Sequence, residues 1–166
     1  MAGTAILVIV PLIYLIIAMN TGDLLWASPV FNAEPQAIRV RCYGRETAIQ
    51  PGTPEFAGVT GLVNQALSGR KRWDSLTLSD ETYQEYLTNP AMMSVELNYP
   101  APFRIHSPYK YYSSIDSIII PLDGRHAATN AVFGRHGNLA AAGSFHVETT
   151  APLVDYLADQ SLCQKP

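Results

Sequence analysis

From Ala5 to Met19 the chain is almost unbroken hydrocarbon, and no charged side chain occurs before Asp23. A run of this kind has no polar face to turn to water and is favourable in lipid. Coiled as a helix, residues 1–22 would rise about 33 Å, at about 1.5 Å per residue, against a hydrocarbon layer roughly 30 Å thick. The pattern predicts a transmembrane anchor helix over 1–26, with Leu24, Leu25 and Trp26 at the headgroup level. Pro11 falls inside the run, where a lipid-embedded helix tolerates a kink if neighbours satisfy the freed carbonyl. A cleaved secretory signal fits less well. No Lys or Arg precedes Arg39, and the best small-residue cleavage site, Leu25-Trp26-Ala27, lies well beyond the run. A buried core helix is the third reading.

Beyond the run the pattern changes. Residues 27–37 carry Pro29 and Pro35 and read as a semi-stiff tether. Ile38, Val40 and Cys42 then alternate with Arg39, Arg41 and Tyr43, which predicts a strand, with a partner from Glu46 to Gln50. Thr53, Pro54 and Glu55 mark a helix start. Phe56, Val59, Leu62, Val63, Ala66 and Leu67 form its apolar stripe, and Gly69 ends it. A shorter helix is expected from Ser79 to Asn89-Pro90. Met93, Val95 and Leu97 alternate with polar residues, so a strand is expected there. Further strands are expected at Phe103–His106, Ile118–Leu122, Ala131–Phe133 and Leu139–Val147, with turns at Asp123-Gly124 and His136-Gly137-Asn138. Thr150 and Pro152 open a closing helix that runs on to Leu162. The expected fold is α+β: one N-terminal transmembrane helix and a single soluble domain over 38–166. That domain has an antiparallel sheet of about five or six strands, with two or three helices on one face.

Charge narrows the partners. The chain holds 11 basic and 14 acidic residues, a net charge of −3, without the basic excess that a nucleic-acid binder shows. The single basic cluster, Arg70-Lys71-Arg72, follows a predicted helix. It reads as a cap on the helix dipole or, more sharply, as a contact for anionic lipid headgroups. Few basic residues lie near the anchor, so orientation is weakly specified; the N-terminus is expected in the cytoplasm and the domain outside. Of the two cysteines, Cys42 and Cys163 stand near opposite ends of the soluble region. In an oxidising compartment they are candidates for a disulfide; the alternative is two buried thiols.

Candidate chemistry is sparse. Gly124-Arg125-His126 and Gly134-Arg135-His136 repeat near predicted hairpin ends. With Asp123, and with His106 and His146 nearby, they make His126 and His136 weak candidates for a metal or anion site. No local spacing enforces convergence, and there is no HExxH, calcium loop, P-loop, GxGxxG or Gly-x-Ser-x-Gly. No catalytic residue or cofactor is assigned. Tyr109, Tyr111 and Tyr112, in a Ser- and Pro-rich connection, suit a partner interface. Pro11, Tyr14 and Trp26 are interface candidates on the anchor.

These features predict a non-catalytic, single-pass accessory subunit of a larger membrane complex, its domain at the extracytoplasmic surface. The expected partners are the lipid bilayer and other membrane subunits. A membrane-anchored binding or sensor-like regulatory domain is the runner-up. An enzyme or metal-binding domain that uses Asp123, Arg125, His126 and His136 is the third reading.

Overall fold

The computed structural model describes residues 2–28 and 30–165, with side chains from Leu7 onward. The alternation that marks Ile38, Val40 and Cys42 produces β1 (Ala37–Cys42). It turns at Tyr43-Gly44 into β2 (Arg45–Ile49). Among the described residues four α-helices and eight strands follow one another as α1 (Ala2–Thr21), β1, β2, α2 (Pro54–Ser68), β3 (Lys71–Asp74), α3 (Asp80–Thr88), β4 (Met93–Phe103), β5 (Ile115–Asp123), β6 (Ala131–His136), β7 (Leu139–Ala140), β8 (Ser144–Val147) and α4 (Ala151–Asp159). The chain is therefore α+β. All pairings are antiparallel, in the order β2-β1-β4-β5-β6-β8-β3, with β7 beside β6.

The apolar stripe of α2 packs on one face of the sheet. Phe56, Val59, Val63 and Leu67 meet Val40, Val95, Leu97, Ile118 and Ile120, with Leu153 and Leu157 of α4 completing the layer. The two helices approach closely at Gly58, where a Cβ would lie 2.1 Å from the Tyr156 hydroxyl oxygen. The Thr53 hydroxyl caps α2 by accepting from the Phe56 N–H at 3.2 Å. The opposite face is also covered. Tyr86 of α3 and Leu78 bury Ile119, Ala131 and Phe133, the residues that alternate with the first set. Helices on one face only was the expectation. The short helix crosses to the other face because β5 and β6 carry apolar residues on both sides.

Three further expectations are revised. The strand β3, which takes in Lys71 and Arg72 of the basic cluster, was not anticipated; it pairs Trp73 with Phe145 at the sheet edge. Strand β4 runs on through Pro100 and Pro102, which fall in the register shift between Asn98 and Phe103, where no ladder N–H is required. The Thr150 hydroxyl does not cap α4; it is buried and donates to Asn130 Oδ1 at 3.0 Å.

The membrane-spanning anchor over 1–26 is not met: among the described residues no helix is long and apolar enough to cross a membrane. After Thr21 the chain turns back. The side chains of residues 1–6, part of the expected anchor, lie outside those described. Helix α1 is nonetheless apolar on all sides. Apart from Ile17, every large aliphatic side chain from Leu7 to Met19 is more than half exposed.

The segment expected as a semi-stiff tether packs against the domain where it is described. Phe31 and Pro35 are buried, the Phe31 N–H donates to Ser68 Oγ at 2.9 Å, and the Gln36 N–H donates to the Asn98 carbonyl at 2.8 Å. A disulfide joins Cys42 to Cys163, with a Cα–Cα distance of 5.4 Å. It ties the segment after α4 to the end of β1.

Candidate functional site

The junction between α1 and the domain holds the densest set of unusual polar contacts. Gly22, with φ +63°, lets the chain leave the helix, and the Asp23 N–H closes the end by donating to the Ala18 carbonyl at 3.1 Å. The Asp23 carboxylate is buried. It accepts from the Leu25 N–H at 2.8 Å, meets His106 Nδ1 at 2.9 Å and lies 4.0 Å from Arg104 Nη1. Arg104 also donates to the Thr21 carbonyl at 3.1 Å, placing a cation at the negative end of the helix dipole. Burial pushes the Asp23 carboxyl up. The His106 and Leu25 hydrogen bonds and the His106 and Arg104 charges outweigh it, so the group sits below its ordinary 3.8.

Beyond Asp23 the chain folds back along α1. The Trp26 indole N–H donates to the Tyr14 carbonyl at 3.2 Å, and the Tyr14 hydroxyl donates to the Leu24 carbonyl. The two rings lie 5.5 Å apart. Tyr14 and Trp26 are thus brought together, while Pro11 sits in the middle of α1 on its exposed surface.

Of the three tyrosines in the β4–β5 connection, Tyr112 is an internal residue. It is fully buried; its hydroxyl accepts from the Gly134 N–H at 3.0 Å and has the Gly143 and Val132 carbonyls as acceptors at 3.0 and 3.1 Å. Tyr109 and Tyr111 remain on the surface. Both stack on Trp73, at centroid distances of 5.6 and 5.0 Å. Trp73 is itself held by its indole N–H on the Ala142 carbonyl at 3.2 Å.

The two Gly-Arg-His triplets do not meet. Asp123, Arg125 and His126 precede β6 and His136 closes it, so the length of that strand, about 17 Å at about 3.3 Å per residue, lies between them. Each side chain has local partners. Asp123 accepts from the Tyr43 hydroxyl at 2.6 Å and from Lys165 at 2.9 Å. Arg125 pairs with Glu85 at 3.0 Å. His126 Nδ1 lies 2.7 Å from the Tyr86 hydroxyl, and burial, with the Arg125 charge, lowers its pKa. His136 lies 3.5 Å from Asp116. His146 sits on the Thr129 carbonyl at 2.8 Å. Among the described residues no group of three His, Cys, Asp or Glu is placed to hold a metal ion.

Sequence reasoning passed over a buried ionic group beneath α3. Arg41 Nη2 meets Glu96 at 2.7 Å, with both side chains buried. Glu96 also accepts from the Tyr83 hydroxyl at 3.2 Å, and the Arg135 guanidinium lies 4.1 Å above the Tyr83 ring. The alternation of Arg39 and Arg41 suggested an outward face; Arg39 stays exposed on it, while Arg41 is buried with Glu96. The Asp23–His106 pair is 83 residues apart in sequence and has no local signature. No family model, curated protein or solved structure matches this chain.

Proposed function

We propose that this chain is a non-catalytic accessory factor of a larger membrane complex, held at the membrane by α1, with its α+β domain at the extracytoplasmic surface. The observation that carries the reading is α1. A helix with exposed aliphatic side chains on every side needs an apolar environment all round, which lipid or several packed helices supply and a single groove does not. The Cys42–Cys163 disulfide favours an oxidising compartment. The scattered Asp123, Arg125, His126 and His136 lend no support to a reaction. The test has two arms. The full chain floats with phosphatidylcholine vesicles, and a Leu12→Asp/Ile16→Asp variant does not; a full chain that stays in solution overturns membrane attachment. Crosslinking in the native membrane before mild-detergent purification recovers a larger assembly; a chain that runs as a lone monomer overturns the accessory role.

A second reading, an anchored sensor-like binding domain, is favoured by an apolar cleft of about 140 Å³ between α2, α4 and the sheet. It is lined by Leu62, Ala66, Ile120, Val132 and Leu153, with Glu148 and Thr149 at its polar edge. Thermal shift with short-chain apolar ligands checks it, and a Leu62→Trp variant that fills the cleft abolishes the response.

A further inference from the structure

Beyond Gly22 the chain stays on α1. The Trp26 indole N–H donates to the Tyr14 carbonyl at 3.2 Å, the Tyr14 hydroxyl donates to the Leu24 carbonyl, and the two rings lie 5.5 Å apart. From Tyr14 to Thr21 the helix rises about 10 Å, at about 1.5 Å per residue. Leu24 to Trp26 therefore run back along about two turns, and Trp26 lies level with Tyr14. On either side of Tyr14, Ile13 and Leu15 expose more than half of their side chains.

Leu24 and Leu25 turn outward, 71 % and 57 % exposed. They extend the aliphatic surface of α1. Among the described residues, the exposed large apolar side chains lie between Leu7 and Val30, apart from Tyr109, Tyr111 and Leu139. The single charged side chain before Glu34 is Asp23, and it is buried against His106 and the Leu25 N–H. The turn also meets its own backbone needs. The Asp23 carbonyl accepts from the Trp26 N–H at 3.4 Å, the Leu25 carbonyl accepts from the Ser28 N–H at 2.7 Å, and the Leu24 carbonyl has the Tyr14 hydroxyl. A protein interface carries hydrogen bonds and a polar rim that face the partner. Non-helical backbone entering apolar surroundings must instead have its polar groups met from within, as these carbonyls are.

We infer that Leu24, Leu25 and Trp26 form a second apolar contact with the bilayer, entering the acyl chains just beneath the headgroups beside α1. The inference rests on the reading of α1 as the membrane attachment. An indole and a phenol on one level suit that boundary, where rings with an apolar body and a polar edge are favoured. The two leucines add apolar area on its acyl side. The loop thereby sets how far α1 enters, with the Asp23, Arg104 and His106 contacts on the polar side.

The test uses the full chain and phosphatidylcholine vesicles. Both cysteines are in the disulfide, so Leu25→Cys supplies a single thiol for an environment-sensitive nitrobenzoxadiazole label at an exposed position outside the core. On vesicles the label's emission shifts to the blue, and a nitroxide on the lipid acyl chain quenches it more strongly than a nitroxide on the choline headgroup. A vesicle-bound chain whose label is unshifted, or is quenched as much or more from the headgroup, overturns the loop contact and leaves the α1 reading standing. A blue-shifted label that neither nitroxide quenches is covered by protein, a second copy of the chain, and overturns it too. A chain that does not float with the vesicles overturns both readings.

Discussion

Asp123 is the clearest case of a residue whose position sets its chemistry. Hydrogen bonds from Tyr43 and then Lys165 lower its pKa to about 2, against a smaller upward push from burial. The same contact, after burial, raises Tyr43 to about 12. A carboxyl depressed on folding contributes stability that is full above its ordinary 3.8 and is lost as the pH falls towards about 2. We expect the Asp123 carboxyl carbon to titrate near 2 by NMR, and Asp123→Asn to flatten the acid limb of the stability curve over that window. The side chain is partly exposed, so screening keeps its contribution modest. Tyr112 is the opposite case, a hydroxyl sealed inside. Tyr112→Phe strands the Gly134 N–H and two carbonyls, and is expected to cost about 1–3 kcal/mol in urea denaturation. The tyrosine was legible in the sequence, but its direction was not. Tyr109, Tyr111 and Tyr112 are near neighbours in one polar stretch, and only the path of the backbone turns one inward and two outward.

At the scale of elements, local signals and tertiary demands divide cleanly. The cap at Thr53, the stripe of α2 and the turn at Asp123-Gly124 are short-range features, and they formed where the pattern placed them. Strand β3 had no such signal. Four residues with three charges and a tryptophan do not alternate convincingly, and β8 recruits them by pairing. The junction of α1 is likewise a tertiary product. Asp23 holds the Leu25 N–H and the His106 and Arg104 side chains together, so Asp23→Ala should release the turn without disturbing the sheet. Hydrogen exchange checks this: the Leu25 amide should exchange faster while the β4 and β5 amides keep their protection.

At the scale of the whole molecule, the disulfide and the buried ion pair decide how firmly the parts are held. The Cys42–Cys163 bridge spans 121 residues, so reduction frees a large loop in the unfolded chain. We expect a loss of about 2–4 kcal/mol, measured by denaturation with and without dithiothreitol. Beneath α3, Glu96→Gln removes the buried counter-charge of Arg41 but leaves Glu46 at 3.0 Å from it, and is expected to cost about 1.5–3 kcal/mol in urea denaturation.

The sequence by itself determined what depends on near neighbours: the apolar run, the antiparallel α+β architecture, and the helix starts and turns. Hydrophobic periodicity and capping act over a few residues and can be read in place. Only the tertiary structure decided what depends on residues far apart in the chain. It turned Leu24 to Trp26 back along α1, set His106 on Asp23, hid Arg41 beneath α3, and separated two similar Gly-Arg-His triplets by the length of β6. Those outcomes follow from strand register and from which sheet face a helix covers, and both are settled by contacts between distant segments.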